Sequence, residues 1–425
     1  VSTWSERKLH FIGIGGAGMS GLALVCDRLG ATVTGSDHAD SSYMERLRQA
    51  GLEPAIGHDA ANLPEGAEVV VSTAIGADNP ELVLARERGV EPIHRGALLA
   101  ELCAEKRLIA IAGTHGKTTT TAMAVWSLRA LGADPAFFIG GEVPGLGADG
   151  ATANADWGDG EWVVAEADES DASFLELHPE VAVITNIEMD HHSRWGSLAE
   201  LHEAFDRFAG GARVAQFDEN SPGPAELGLA VPGRHNVMNA RAALAAIELA
   251  GFDVDAAAKA LASFPGVHRR LELKGSRGPV HIYDDYGHHP TEVRAALAAL
   301  REQEPSRLVA VFQPHLYSRT KALAEAFGGA LALADEAVVL DVYPAREQPV
   351  GELAGVSGLQ VAQAAAERMG GKPVWWLPTI ELAQRALAER LDRNPELYGE
   401  GTVLVTIGAG DVVKLGEALV SEGSR

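Results

Sequence analysis

A chain of 425 residues is too long for one hydrophobic core, and two to four domains are expected. Apolar residues make up 46% and charged residues 22%, the balance of an ordinary folded protein, which excludes disorder as the starting expectation. The formal charge of −24 argues against nucleic acid or an anionic membrane as a partner, but not against a phosphorylated small substrate held by local N–H groups and a few cations.

In chain order, a short apolar strand, a glycine-bearing turn and an Ala/Leu-rich helix recur. Leu9–Ile14 reads as a strand leading through glycines into a helix near Met19–Leu29, with Ala31–Gly35 and Val69–Ser72 as the next strands. The stretch from Glu91 to Lys106 reads as a helical lead into Arg107–Ala112, a strand entering a second glycine turn and a helix from about Thr119 to Leu131. Later strands are expected at Trp162–Ala165, Val181–Thr185, Val280–Tyr283, Leu308–Phe312, Ala337–Leu340 and Val403–Ile407. This alternation predicts an α/β protein with mostly parallel sheets. Boundaries are expected near Lys106 and at Pro265-Gly266, giving domains 1–106, 107–266 and 267–425. Trp375 and Trp376 have only apolar neighbours and read as packing.

Cys26 and Cys103 are the only cysteines and lie in separate segments that read as apolar helices, so buried free thiols are expected rather than a disulfide or half a metal site. Residues 1–16 contain no signal-type apolar run, and no stretch is long enough to cross a bilayer, so a cytoplasmic location is expected.

The segment Gly113-Thr114-His115-Gly116-Lys117-Thr118-Thr119 follows a strand and opens a helix, the setting that a phosphate-binding loop requires. Glycines let the backbone curl so that several N–H groups face one anion, and the helix N-terminus adds partial positive charge. Lys117 would reach the β- and γ-phosphates of ATP, and the Thr118 hydroxyl would sit on Mg²⁺. The loop is shorter than the commonest form of this motif, since Ile111 stands where its first glycine would be.

An earlier turn, Gly13-Ile14-Gly15-Gly16-Ala17-Gly18, fits G-x-G-x-x-G, and Asp37 closes the next strand at the spacing of a ribose-binding carboxylate. Alone it admits a dinucleotide, another pyrophosphate-bearing nucleotide or a tight structural turn. A second loop for ATP downstream favours a nucleotide-linked substrate over NAD.

Four carboxylates crowd into Glu166-Ala167-Asp168-Glu169-Ser170-Asp171 at the end of a strand. Such crowding repels unless a cation or solvent intervenes, so one or two are expected to serve Mg²⁺ and the others to be solvated. His191, in the segment from Thr185 to His192 that ends the next strand, reads equally as a structural, a proton-handling or a metal-directed residue. Asn236 and Asn239 are spaced i,i+3 on one helix face, suited to a purine edge or to helix capping. Polar clusters containing Asp285, Tyr286 and His288, and then His315 and Arg319, end two later strands, where α/β sheets bind ligands.

These segments together resemble the Mur ligase family. The ordered matches are HFIGIGGAGMSG at 10–21, SD at 36–37, AGTHGKTTT at 112–120, EADESDASF at 166–174, TNIEMDH at 185–191, GRHNVMNA at 233–240, RRLE at 269–272, DDYGHHPTEV at 284–293, FQPHLYSRT at 312–320, DVYPARE at 341–347 and GAGD at 408–411. The resemblance implies three domains, an N-terminal Rossmann-like one for a UDP sugar, a central ATPase and a C-terminal Rossmann-like one that closes over ATP.

It also implies an ATP-dependent ligase that joins L-alanine to the lactyl carboxylate of UDP-N-acetylmuramate through an acyl phosphate, acting as a monomer or homodimer. By matching position, Lys117, Glu166, His191, His315 and Arg319 would be catalytic, and Thr118, Glu166 and His191 would hold the metal. Residues Gly113 to Thr119 together with Asn236, Asn239, Arg270, Asp285 and Tyr286 would serve ATP. Gly13, Gly15, Gly16, Gly18, Ser36 and Asp37 would face the UDP sugar, with His288, His315 and Arg319 toward the muramyl carboxylate and the amino acid. Two departures stand out: Leu316 replaces an arginine that the family more often carries, and no lysine lies between Lys117 and Lys259, so the central domain has none to carbamylate.

Overall fold

The computed structural model describes residues 3–189, 195–218, 227–345 and 347–423. Among these residues the strands form three sheets. The first contains β1 (Lys8–Ile12), β2 (Thr32–Asp37), β3 (Ala55–Ile56), β4 (Glu68–Val71) and β5 (Ile93–His94), in the order β3-β2-β1-β4-β5 and parallel throughout. The second contains β6 (Arg107–Ala112), β7 (Ala136–Val143), β8 (Ala153–Asp156), β9 (Trp162–Glu166), β10 (Val181–Ile184) and β11 (Arg213–Gln216). Its order is β11-β10-β6-β9-β7-β8, and only the β7–β8 pair is antiparallel. The third contains β12 (Glu272–Arg277), β13 (Val280–Asp285), β14 (Arg307–Phe312), β15 (Glu336–Val339), β16 (Val374–Trp376) and β17 (Thr402–Ile407), ordered β12-β13-β17-β14-β15-β16 with antiparallel β12 at one edge.

The expected α/β class is observed, with three domains built around three mostly parallel sheets. Central strands such as β6 are buried along nearly their whole length, because helices cover both faces and every side chain must be apolar. In each sheet a central strand (β1, β6 and β17) has neighbours reached by chain connections running in different directions. Such a reversal opens a crevice at the strand's C-terminal end, where the glycine turns and polar clusters stand.

By contact the chain forms two compact units, one of residues 1–230 and 236–267, the other of 231–235 and 268–425. The first contains the first and second sheets, and the second contains the third sheet.

Three local expectations are corrected. The stretch from Glu91 to Lys106 is not helical throughout: it contains β5 before the helix Arg95–Cys103. β7 escaped notice because Gly140-Gly141 interrupts its apolar run. Trp375 and Trp376 are not packed inside; they are 41% and 39% exposed on edge strand β16. There Trp375 Nε1 donates to Glu336 Oε1 at 3.1 Å and the Arg390 guanidinium lies 4.7 Å over its ring. Cys26 and Cys103 are both free and buried, as expected.

Candidate active site

The phosphate-loop segment leaves β6 and turns through Gly113 (φ +129°) and Gly116 (φ +82°) into the helix Lys117–Ala130. Both glycines are required: a Cβ on Gly113 would overlap the Thr185 hydroxyl, and one on Gly116 would overlap Asn239 Oδ1. The loop's donors divide into two groups. Thr114 N donates to Asn186 O at 3.0 Å and His115 N to Asn186 Oδ1 at 2.9 Å, so these two N–H groups are spent on the loop after β10. Gly116 caps the helix in the left-handed conformation without a side-chain bond, which leaves the first N–H groups of the helix for an anion.

Lys117 Nζ folds back on Gly113 O at 2.7 Å, Thr114 O at 3.1 Å and Glu169 Oε2 at 2.8 Å. Burial works against its charge, but the carboxylates of Glu169, Asp168 and Glu166 outweigh that, and its pKa is raised. Burial dominates for Glu169 and pushes it up to about 7 despite Lys117. Burial would also raise Asp168, yet Lys117 and Arg95 hold it below the usual carboxylate range.

The carboxylate loop is therefore not a solvated acidic surface, as expected for its non-metal members. Arg95 Nη2 reaches Asp168 Oδ2 at 2.9 Å and Asp171 Oδ2 at 3.0 Å, and Glu169 is buried against Lys117. Two cations from remote segments neutralise three of the four acids. Arg95 was not singled out from the sequence, and Glu169 was read only as one of four crowded acids, because the pairing depends on tertiary contact.

The fourth acid, Glu166, accepts from Thr118 Oγ1 at 3.0 Å and from Gly140 N at 2.7 Å. Thr118 and Glu166 thus offer adjacent hydroxyl and carboxylate oxygens, a donor set that suits Mg²⁺. His191, expected to join them, lies outside the described residues.

Asn236 and Asn239 lie on the helix Arg234–Ala250, two and five positions past its first residue, so neither is its cap. Asn239 Nδ2 donates to Asn236 Oδ1 at 3.2 Å, and Thr120 Oγ1 donates to Asn239 Oδ1 at 3.4 Å, which ties this pair to the phosphate-loop helix. Thr119 is buried in the first turn of that helix.

The earlier glycine turn is closed by β2. Gly13 N and Ile14 N donate to Ser36 O at 2.8 and 3.0 Å, and Gly15 N donates to Asp37 Oδ2 at 2.9 Å. Asp37 thus holds the turn from the end of β2. Gly16 precedes the helix Ala17–Arg28 and supplies no side-chain cap, and Gly18 lies in its first turn. The Ser36 hydroxyl is fully buried and donates to Glu81 Oε2 at 2.7 Å, within a network where His10 Nε2 also meets Glu81 Oε2 at 3.0 Å.

The remaining expected residues belong to the second unit, at the C-terminal ends of β13 and β14. Asp285 accepts from Leu271 N at 2.9 Å and Gly287 N at 2.8 Å, and burial, opposed by Arg270, raises it to about 6. Arg269 and Arg270 place their guanidinium carbons 5.0 and 5.3 Å from the centre of the Tyr286 ring. Arg269, missed in the sequence, has φ +60° and also donates to Asp284 Oδ2 at 3.0 Å and Gly408 O at 2.7 Å.

His315 stacks on Tyr343 with ring centres 5.7 Å apart and lies 6.0 Å from the His288 ring. Arg319 Nη1 is 3.4 Å from His315 Nδ1. Leu316 caps the helix Tyr317–Leu331 at φ +72°, and its apolar side chain carries no charge where an arginine would supply a cation.

Comparison with known proteins places the chain among relatives of the same domain order. Residues 8–107 match the family model described as the Mur ligase family catalytic domain, 111–216 the Mur ligase middle domain, and 269–410 the Mur ligase glutamate ligase domain. A UDP-N-acetylmuramate–L-alanine ligase of Rubrobacter xylanophilus is 42% identical over 97% of this chain and 99% of its own length. One from Kineococcus radiotolerans is 43% identical over 97% and 96%. The crystal structure of a UDP-N-acetylmuramate–alanine ligase from Thermotoga maritima superposes with a TM-score of 0.83 at 29% identity, covering 99% of both chains. With three domain models matched in order and relatives aligned nearly end to end, this chain belongs to the Mur ligase family.

Proposed function

We propose that this protein is an ATP-dependent ligase that joins L-alanine to the lactyl carboxylate of UDP-N-acetylmuramate, a step in peptidoglycan precursor synthesis. The observation that carries the reading is the glycine turn with Lys117 on one side and the Thr118–Glu166 oxygen pair on the other. Relatives that carry this activity by name align over nearly the whole chain.

The carboxylate of UDP-N-acetylmuramate attacks the γ-phosphorus of ATP, the bond to the β–γ bridging oxygen breaks, and ADP leaves. The alanine amine then attacks the acyl phosphate carbonyl, inorganic phosphate departs with the bonding electrons, and the amine loses a proton.

Lys117 swings from Glu169 to the β- and γ-phosphoryl oxygens, where neutralising developing charge contributes most to the rate. Thr118 and Glu166 would hold Mg²⁺, with His191 as a further ligand, and the ion supplies charge neutralisation to the phosphates. Gly113, Thr114, His115 and Gly116 shape the turn, Thr119 lies in its helix, and the N–H groups from Gly116 onward hold phosphate. Asn236 and Asn239 serve the adenine side, with Arg270, Asp285 and Tyr286 contributing to ATP from the third domain. Gly13, Gly15, Gly16 and Gly18 let the diphosphate of the UDP sugar approach the first helix, while Ser36 and Asp37 brace that turn. His288, His315 and Arg319 serve the carboxylate and the amino acid.

We assign the domains to 1–106, 107–266 and 267–425 and a cytoplasmic location. No helix among the described residues is long and apolar enough to cross a membrane.

The test is phosphate release from ATP and Mg²⁺ with each substrate omitted in turn. Release that requires both UDP-N-acetylmuramate and L-alanine, with one amide formed per phosphate, is expected. ATP-independent NAD(H) turnover, or no release from folded protein, would overturn the reading.

A further inference from the structure

Arg95 opens the helix Arg95–Cys103 and lies between the carboxylate loop that partners Lys117 and the helix that follows the first glycine turn. Its Nη2 is shared between Asp168 Oδ2 at 2.9 Å and Asp171 Oδ2 at 3.0 Å, the two acids that flank the Lys117 partner Glu169. Its Nη1 faces the other way. A Cβ built on Gly18, in the first turn of the helix Ala17–Arg28, would lie 3.4 Å from it. The backbone beneath this side chain has little room to shift, because a Cβ on the next residue, Gly96, would overlap the Ser173 side chain just past the carboxylate loop.

A guanidinium suits this position because its fork presents two separate donor edges, whereas an ammonium is a single point charge. One edge is consumed by the carboxylates. The other stands beside the first turn of a helix whose cap is a glycine without a side-chain bond, where an anion would be received.

We propose that Arg95 binds and positions at once: Nη1 donates to the diphosphate of a nucleoside diphosphate at the first glycine turn, while Nη2 keeps the carboxylate loop behind Lys117. This rests on the assignment of the first turn to the UDP sugar. One side chain then links filling of the first turn to the alignment of Lys117 more than twenty residues further along the chain. Burial opposes the charge, but Asp168 and Asp171 outweigh it, so the cation persists when the diphosphate is absent.

The test is calorimetric binding of UDP, and separately of a non-hydrolysable ATP analogue with Mg²⁺, to the full chain and to Arg95→Ala and Arg95→Lys, with steady-state kinetics for each. Arg95→Ala is expected to weaken UDP and raise KM for UDP-N-acetylmuramate on the order of tenfold or more and to lower kcat, with the ATP analogue weakened several-fold less than UDP. Arg95→Lys should recover most of the UDP affinity but not kcat, since one point charge cannot serve both loops.

Unchanged UDP affinity in Arg95→Ala overturns the proposal, as does a parallel loss of UDP and ATP analogue, which marks a purely structural role. If Arg95→Ala does not fold, Arg95→Lys decides: wild-type kcat and UDP affinity overturn the proposal, and a lowered kcat with UDP affinity largely kept supports it. A wild-type protein that binds no UDP overturns the reading of the first turn itself, a result distinct from a defect confined to the variants.

Discussion

Lys117 Nζ rests on two carbonyls and the buried Glu169 carboxylate at the head of its helix, so its charge is held beside the glycine turn. Lys117→Ala is expected to keep the fold and to lower kcat by ~10³-fold, measured as phosphate release with both substrates saturating. Glu81 gives a pH prediction. Burial would raise its pKa, but hydrogen bonds from His10, Ser36 and Asn62 hold it at about 2 against an ordinary 4.5. A depressed carboxylate stabilises the fold above its unfolded pKa, and that stabilisation is lost as pH falls from about 4.5 toward 2. Glu81→Gln is therefore expected to lower the thermal midpoint at pH 6, by an interaction on the order of 3 kcal/mol, with the gap to wild type narrowing as pH falls. A gap that stays constant between pH 6 and 3 would contradict this.

At the scale of elements, the glycine turn before the helix Lys117–Ala130 depends on a left-handed residue. Gly116→Ala places a Cβ both at φ +82° and against Asn239 Oδ1, so the turn and the Asn236–Asn239 pair must shift together. Loss of ATP-analogue binding by tenfold or more, read by calorimetry in a still-folded protein, is the expected outcome.

The helix Tyr317–Leu331, which carries Arg319, is placed by close packing on the helix Gly358–Arg368. A Cβ on Gly328 would stand 2.5 Å from the Ala364 carbonyl carbon. Gly328→Val is expected to destabilise by about 1–3 kcal/mol or more, and to raise KM for alanine as Arg319 moves.

Across the whole molecule, three sheets each bring polar strand ends to a topological reversal. A ligase that passes through an acyl phosphate should depend on all its substrates together. Phosphate release is expected to fall to background when either UDP-N-acetylmuramate or L-alanine is omitted. The excess of acid over base does not oppose phosphate binding, because the Glu166–Asp171 acids are matched locally: Arg95 and Lys117 neutralise three, and the fourth accepts from Thr118 and Gly140.

The amino-acid order alone determined the α/β class, most of the central strands and both glycine turns, because these follow from local rules. Apolar runs bounded by glycine make buried strands, and a glycine turn before an Ala-rich helix makes an anion-facing N-terminus. It also carried Lys117, Thr118 and Glu166 as a group, since each sits next to such a turn or strand end.

Only the tertiary structure decided which charges meet. Arg95 is 73 residues from Asp168 in the chain, and Lys117 is 52 from Glu169, so neither pair has any sequence signature. Tertiary contact likewise turned Asp37 onto Gly15 and Ser36 onto Glu81, and left Trp375 half-exposed on an edge strand. The physical reason is range. Propensity and periodicity act within a few residues, whereas ion pairs and burial depend on which elements the sheets bring side by side.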